Sequence, residues 1–421
     1  MFIGWLTCIP AVLLPHSLCR STTANAPANR QMPIASVVRG NLKKTHTVDK
    51  PSIIIFVRKI KRMRTILIKH VIIAVIIIFA ASCSSSTKVI VDDNGATIPN
   101  SISLLESVKI GNINQCILAR GVSPTNPIII YLHGGPGSPV IPVVNKYNSV
   151  LEKHFIVVQW DQRGSGKSYY KDLDERTMNI NQFVSDLHEL IGYLKTKFNK
   201  KKVYIIGHSW GSALGLLYVN QYPDDCIAYI GTGQSVNVPE AEAISYDFAL
   251  SSAIKNSNKH AIDELQKIGK PPYTGTDIEV IKKITTQRKW LIEFGGQYYD
   301  TKNKDVGSKL LLSSHEYSLG EKFNYMKGME FSLKTVGKEY MKLNLFDTIK
   351  ELHVPLYFCI GRKDYTTPFE LVEKFYNTIK APKKELIWFD KSAHSPIFEE
   401  SEKFNDIIIN RVLKETSLEK N

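Results

Sequence analysis

The chain has 421 residues, 43% of them hydrophobic and 22% charged, which is ample for a sizeable buried core. Its formal net charge is +14, but residues 1–82 hold twelve Lys/Arg against a single acid, Asp49, so the remainder carries only +3 and no nucleic-acid surface is called for. The cysteines divide in the same way: Cys8, Cys19 and Cys83 precede the body, and the scattered Cys116, Cys226 and Cys359 make neither a disulfide framework nor a CxxC metal pair.

From Met63 the sequence runs through a basic stretch (Arg64, Lys69) into an apolar run of about a dozen residues, 71–81, and then Ser82-Cys83. Basic region, short apolar run and small residues fit a secretory signal peptide over 63–82, and the run is too short for a spanning helix. Ala80-Ala81-Ser82-Cys83 resembles a bacterial lipobox. That resemblance implies a lipidated Cys83, a short tether over 83–100, and an exported, lipid-anchored protein of the bacterial cell envelope, with simple secretion or an uncleaved anchor as the alternatives. A signal should open a protein, so translation is expected to start at Met63. Residues 1–62 are then a non-native upstream extension or disordered.

In the body, residues 104–110 and 115–120 flank Gly111-Asn112 and read as a hairpin. Ile128-Ile129-Ile130-Tyr131-Leu132 is a buried-strand run ending in His133-Gly134-Gly135-Pro136-Gly137. Residues 155–160 form another, ending in Asp161-Gln162-Arg163-Gly164-Ser165-Gly166-Lys167-Ser168. Residues 181–199 carry apolar side chains at helical spacing. Strands follow at 203–206 and 227–230, with a helix between them that stops at Pro223. From 239 to 344 the pattern turns helical and rich in Lys, Glu and aromatics; alternation resumes with strands at 356–360 and 385–389. Alternation of this kind predicts a mostly parallel α/β sheet with helices on both faces. Its core is expected over 101–238 and 345–421, with 239–344 as a helical cap.

The stretch Gly207-His208-Ser209-Trp210-Gly211 lies between an apolar strand and a helix, the context of a nucleophile elbow. A serine hydroxyl needs a base and a third group to orient it. Downstream, Asp364 follows one strand end and His394 follows the next. They are the candidate acid and base, with Asp390 as the rival acid. Fixed N–H donors for a developing oxyanion are expected from Trp210 and from Gly135, with Gly134 as the fallback. His133 and His208 read as loop scaffolding. Gly164-Ser165-Gly166-Lys167-Ser168 lacks the upstream glycine of a phosphate-binding loop, where Asp161 stands instead. No metal motif and no cofactor is implied.

His-Gly-Gly-Pro-Gly (133–137), Asp-Gln-Arg-Gly-Ser-Gly-x-Ser (161–168), Gly-His-Ser-Trp-Gly-Ser (207–212), Gly-Arg-x-Asp (361–364) and Ala-His-Ser-Pro (393–396) together resemble the proline iminopeptidase group of α/β-hydrolases, over residues 100–415. The resemblance implies an α/β-hydrolase fold of the eight-stranded type with a helical cap. It implies a serine hydrolase that removes an N-terminal residue, often proline, from a peptide. It carries Ser209 over as nucleophile, Asp364 as acid, His394 as base, and Gly135 and Trp210 as the oxyanion hole. Such enzymes hold the substrate amine with cap carboxylates, for which Glu240, Glu242 and Glu293 are the candidates. A carboxylesterase or another amide hydrolase is the alternative, since fold and triad do not choose the substrate. A binding lipoprotein without activity is the reading from a different class.

Overall fold

The structure is a computed structural model that describes residues 59, 61–73 and 85–418. Residues 61–73 form an exposed helix. Among the described residues no helix is long and apolar enough to cross a membrane. Cys83 and nearly all of 1–62 lie outside the described residues.

The body is built on an eight-stranded sheet, in the order β1-β2-β4-β3-β5-β6-β7-β8. Strands β1 (Ile102–Ile110) and β2 (Ile113–Gly121) form the expected hairpin, and β2 runs antiparallel to β4 (Ile156–Asp161). From β4 the sheet is parallel through β3 (Ile128–Leu132), β5 (Val203–His208), β6 (Cys226–Thr232), β7 (Leu356–Gly361) and β8 (Lys384–Phe389). The hairpin turns at Gly111 (φ 55°) and Asn112 (φ 67°). Two consecutive positive φ values match the right-handed twist of the flanking strands.

The continuous apolar runs are explained by burial on both faces. Ile128, Ile130 and Leu132 of β3 pack in one core with Ile156, Val158 and Trp160 of β4 and Val203 and Ile205 of β5. Ile129, Tyr131, Val157, Tyr204 and Ile206 fill a second core on the opposite face. A strand covered on both sides is apolar almost throughout; a buried exception in β4, Gln159, donates to Asn145 (2.8 Å). The first core is covered by helices α2 (Ile180–Lys197), α3 (Trp210–Gln221) and α10 (Phe369–Thr378). The second is covered by α1 (Ile141–Tyr147) and the C-terminal helical run that begins at Pro396.

Between β6 and β7 the chain is helical, as the pattern predicts. Its main helices are α4 (Val238–Lys255), α5 (Lys259–Ile268), α6 (Asp277–Glu293), α7 (Val306–Ser313), α8 (Leu319–Lys334) and α9 (Val336–Tyr340). This segment is bound to the core through buried polar contacts. Tyr317 donates to both oxygens of Asp161 at the end of β4 (2.8 and 3.0 Å), and Tyr325 donates to the Pro139 carbonyl (2.6 Å). Lys167, in the loop with the look of a phosphate site, spends its ammonium on Glu321 (2.6 Å) and Ser85 (2.6 Å). Residues 85–100, expected as a tether, are likewise held: Val91 bridges to Thr97, Ile90 is buried, and Arg120 donates to Thr87 (2.7 Å).

Burial raises the Asp161 carboxyl to about 7, against the pull of the Lys167 N–H and the Tyr317 hydroxyl. The folded chain therefore keeps a proton that the unfolded chain gives up above 3.8, the ordinary value. The stability this proton contributes is complete below about 4 and is lost as pH rises to about 7. Asp161→Asn cannot ionise, so it should lose at least about 1 kcal/mol less stability than the native chain between pH 5 and pH 8. Urea midpoints at the two pH values read the difference; equal losses would contradict the assignment.

Candidate active site

Strand β5 ends at His208 and α3 begins at Trp210, so Ser209 alone makes the turn. Its backbone sits at φ 55°, ψ −122°, a conformation that costs a non-glycine residue free energy and persists only under constraint. The constraint is close packing. A Cβ on Gly211 would lie 2.1 Å from the Leu132 carbonyl oxygen, and one on Gly207 would lie 2.6 Å from the Gly211 carbonyl oxygen. Only glycine fits at either place, which gives the Gly-x-Ser-x-Gly spacing its physical meaning. Trp210 is the first residue of α3, so its N–H belongs to the unsatisfied first turn of a helix.

The loop after β3 comes against the same turn: a Cβ on Gly134 would lie 3.0 Å from the Ser209 Cβ. His133 organises this loop. Its Nε2 accepts from the Gln162 N–H (3.2 Å), so its Nδ1 carries the proton and donates to the Gly134 carbonyl (2.9 Å). Ser138 N–H donates to the same carbonyl (3.1 Å). In a trans peptide unit the N–H points opposite to the C=O. With the Gly134 carbonyl held by these two donors, the Gly135 N–H is the one turned away from them, and Gly135 lines the cavity beside Ser209. Burial keeps His133 neutral, lowering it to about 4. Burial, together with His394 beside it, holds His208 well below its ordinary value. The fixed partners of His133 fit the scaffolding role expected for it, whereas His208 packs its ring beside that of His394 (4.9 Å between centroids).

Asp364 and His394 meet as the chain order suggested. His394 Nδ1 lies 3.0 and 3.2 Å from the two Asp364 oxygens. The remaining capacity of that carboxylate is filled by the N–H groups of Thr366 and Thr367 (both 2.9 Å) and by the Thr367 hydroxyl (2.8 Å). With Nδ1 held by the carboxylate, Nε2 is the free nitrogen of the ring. Asp390, the rival acid, pairs instead with Arg362 at the surface (2.8 Å).

Two residues of this arrangement were not expected as part of the site, although Gln162 lies in the Asp-Gln-Arg-Gly motif. Gln162 joins three strand ends: it donates to the His133 carbonyl (3.1 Å) and accepts from the Trp210 indole (2.9 Å), besides its N–H bond to His133. Glu399 accepts from the N–H groups on both sides of His394, Ala393 (2.8 Å) and Ser395 (3.3 Å), and from Tyr299 N–H (2.6 Å). Burial raises that carboxyl to about 7.

Ser209, His394, Gly134 and Gly135 open on a cavity of about 690 Å³, roofed by the helical segment. Tyr273, Val280, Ile281, Ile284, Leu333 and Met341 give it a largely apolar wall. Of the three cap carboxylates expected at the substrate amine, only Glu242 lines it. Glu242 is buried, paired with Arg288, and also accepts from Gln287 (3.1 Å). Glu240 faces elsewhere, bonded to the Asn237 side chain (2.8 Å) as part of the α4 cap. Glu293 is exposed at the end of α6 and does not line the cavity. An aromatic neighbourhood in sequence did not mean a buried one, because Trp290 and Phe294 stack on each other (5.9 Å between centroids) on the side packed against α4 and α5.

The chain is 34% identical over 306 residues to the probable aminopeptidase YbaC of Bacillus subtilis (strain 168), covering 72% of this chain and 94% of that relative. This protein belongs to the proline iminopeptidase-like α/β-hydrolases. A proline iminopeptidase of Heyndrickxia coagulans is 28% identical, over 66% of this chain and 88% of that relative. The family model for serine aminopeptidases, S33, matches residues 142–283. The fold of a proline iminopeptidase-related protein from Thermus thermophilus superposes with a TM-score of 0.54 at 16% identity, over 73% of this chain and 96% of that one. The iminopeptidase-like chain is thus a hydrolase of an aminopeptidase-like family, on an open, mostly parallel eight-stranded sheet.

The elbow of this family member depends on contacts that allow no Cβ. Gly211→Ala should cost at least about 2 kcal/mol in urea unfolding, because the clash is with backbone. Gly192→Ala, in α2 with nothing within 4 Å of the added methyl, should gain about 0.5–1 kcal/mol. Equal effects at the two sites would contradict the packing argument.

Proposed function

We propose that the protein is a serine aminopeptidase that releases N-terminal residues, proline among them, from peptides through an acyl-enzyme. The observation that carries this reading is the convergence on one cavity of a strained Ser209, a His394 ring held by Asp364, and the carboxylate of Glu242. Ser209 Oγ attacks the carbonyl carbon of the first residue while His394 Nε2 takes its proton. The oxyanion receives the N–H groups of Gly135 and Trp210. The C–N bond breaks as His394 returns the proton to the leaving amine, and water then repeats the sequence to free Ser209. Glu242 holds the substrate ammonium, sharing its oxygens with Arg288 and Gln287.

One observation favours a second reading. Glu242 already has a cationic partner, and much of the cavity lining is apolar, which suits an uncharged ester or amide as the substrate of the same triad.

A panel of aminoacyl arylamides and a short-chain aryl ester separates the two. Proline arylamide should be the best substrate and Ser209→Ala should turn over none of them; preference for the ester would support the esterase. Asp364→Asn should lower kcat about 10³–10⁴-fold. Glu242→Gln should raise KM for the arylamide about tenfold or more and leave that for the ester unchanged. An unchanged arylamide KM would remove Glu242 as the amine anchor.

We also propose that the chain is exported and anchored through a lipid on Cys83, on the strength of the signal-like 63–82 segment and its lipobox-like end. Mass spectrometry of the native protein should find an acylated Cys83 at the mature N-terminus. A peptide covering 31–39 in that protein would contradict a start at Met63.

A further inference from the structure

A lipid on Cys83 would fix the point of attachment; the described residues indicate which face would then meet the bilayer. The body is described from Ser85, two residues after Cys83. Ser86 N–H donates to the His315 carbonyl (3.0 Å), and the Ser85 hydroxyl accepts from Lys167 (2.6 Å). An extended chain covers at most about 3.6 Å per residue, so Cys83 reaches no more than roughly 11 Å from Ser86. Whatever holds Cys83 therefore lies beside the loop around His315.

That loop joins α7 to α8, and these two helices expose Leu312 (69%), Leu319 (48%) and Phe323 (67%). Leu319 and Phe323 are four apart and share one face of α8. Lys322 Nζ donates to the Leu312 carbonyl (2.9 Å), which ties the end of α7 to the first turn of α8, the turn that carries Leu319. The inward residues of the same helices, Leu311 and Tyr325, are buried in a small core with Tyr317, so the exposed ones are surplus to folding.

Lysines flank the patch on both helices. Lys309 stands one turn before Leu312, Lys322 stands beside Phe323, and Lys327 stands one turn after Phe323. Three acids of this region are already partnered: Glu321 pairs with Lys167 (2.6 Å), Glu316 is buried against Asn145 (3.1 Å) and Ser314 (2.5 Å), and the exposed Glu330 pairs with Lys334 (2.5 Å). Apolar side chains rimmed by lysines suit the boundary of an anionic bilayer, where the apolar groups enter the interface and the lysines meet lipid phosphates.

We propose that Leu312, Leu319 and Phe323, with Lys309, Lys322 and Lys327, form a membrane-docking face that seats this protein on an anionic lipid surface. The proposal rests on the lipid-anchor reading for its orientation, and its test separates the two. The full acylated chain is bound to phosphatidylethanolamine/phosphatidylglycerol vesicles, and amide hydrogen exchange is followed along 306–325. Slowed exchange there, reversed in the triple variant Leu312→Ser, Leu319→Ser, Phe323→Ser with its peptidase turnover intact, is the expected result. Unchanged exchange on vesicle-bound protein would overturn the docking face and leave the anchor standing.

The anchor is tested apart, by the mass of Cys83 and by Cys83→Ser. The unacylated Cys83→Ser chain should still co-sediment with phosphatidylglycerol vesicles, roughly tenfold more weakly in the triple variant, and not with phosphatidylcholine vesicles. Equal sedimentation of the triple variant and its Cys83→Ser parent would overturn the docking face, whatever the mass of Cys83 shows.

Discussion

The contact on which the site depends is the approach of the strand-to-helix turn at Ser209 to the end of β3. There is no room for a single carbon between Gly211 and the Leu132 carbonyl oxygen. That closeness holds Ser209 in a backbone conformation it would not adopt alone, and it starts α3 at the next residue. The serine hydroxyl and the first N–H groups of a helix are thereby delivered to one point. The two cores on either side of the sheet supply the restoring force, since lifting the turn would open packed apolar layers on both faces.

Around that point the structure is a set of clamps on loops. Gln162 ties the ends of β3 and β4 to the indole of Trp210, His133 aims the Gly134–Gly135 peptide unit, and Glu399 grips the backbone on both sides of His394. Arg163 does the same work one step further out, bonding Asp186 (2.8 Å) and the Gly111 carbonyl (2.8 Å) of the hairpin turn. The Asp-Gln-Arg-Gly motif is therefore a structural knot behind the site. A precise site built from loops needs its loops over-determined, and most of the buried polar groups near the cavity serve that end.

The sheet was legible because strands buried on both faces are apolar almost throughout, and the elbow and triad were legible because each follows a strand end in a fixed chain order. Asp364 and His394 could be named before they were seen to touch for that reason. The roles of Gln162 and Glu399 could not: Gln162 acts through contacts 29 and 48 residues away, and Glu399 through backbone N–H groups beside His394 and at Tyr299. The three cap carboxylates could not be told apart for a related cause. Glu240, Glu242 and Glu293 are alike in sequence, and only the packing of α4 against α6 decides that Glu242 turns inward to Arg288 while the others face away. Residues 85–100 read as polar and unpatterned, yet Ser86 and Thr87 are held by partners at 315 and 120 that no local pattern reveals.

Constraint at the elbow and the Asp364–His394 pair together would make Ser209 a nucleophile. The most direct measurement is the intact mass of the protein after treatment with a fluorophosphonate, followed by peptide mapping. One adduct per chain is expected, on Ser209, formed by the folded protein, absent after urea unfolding and slowed by Asp364→Asn. No adduct on the folded chain, or an adduct on another serine, would contradict this role for Ser209.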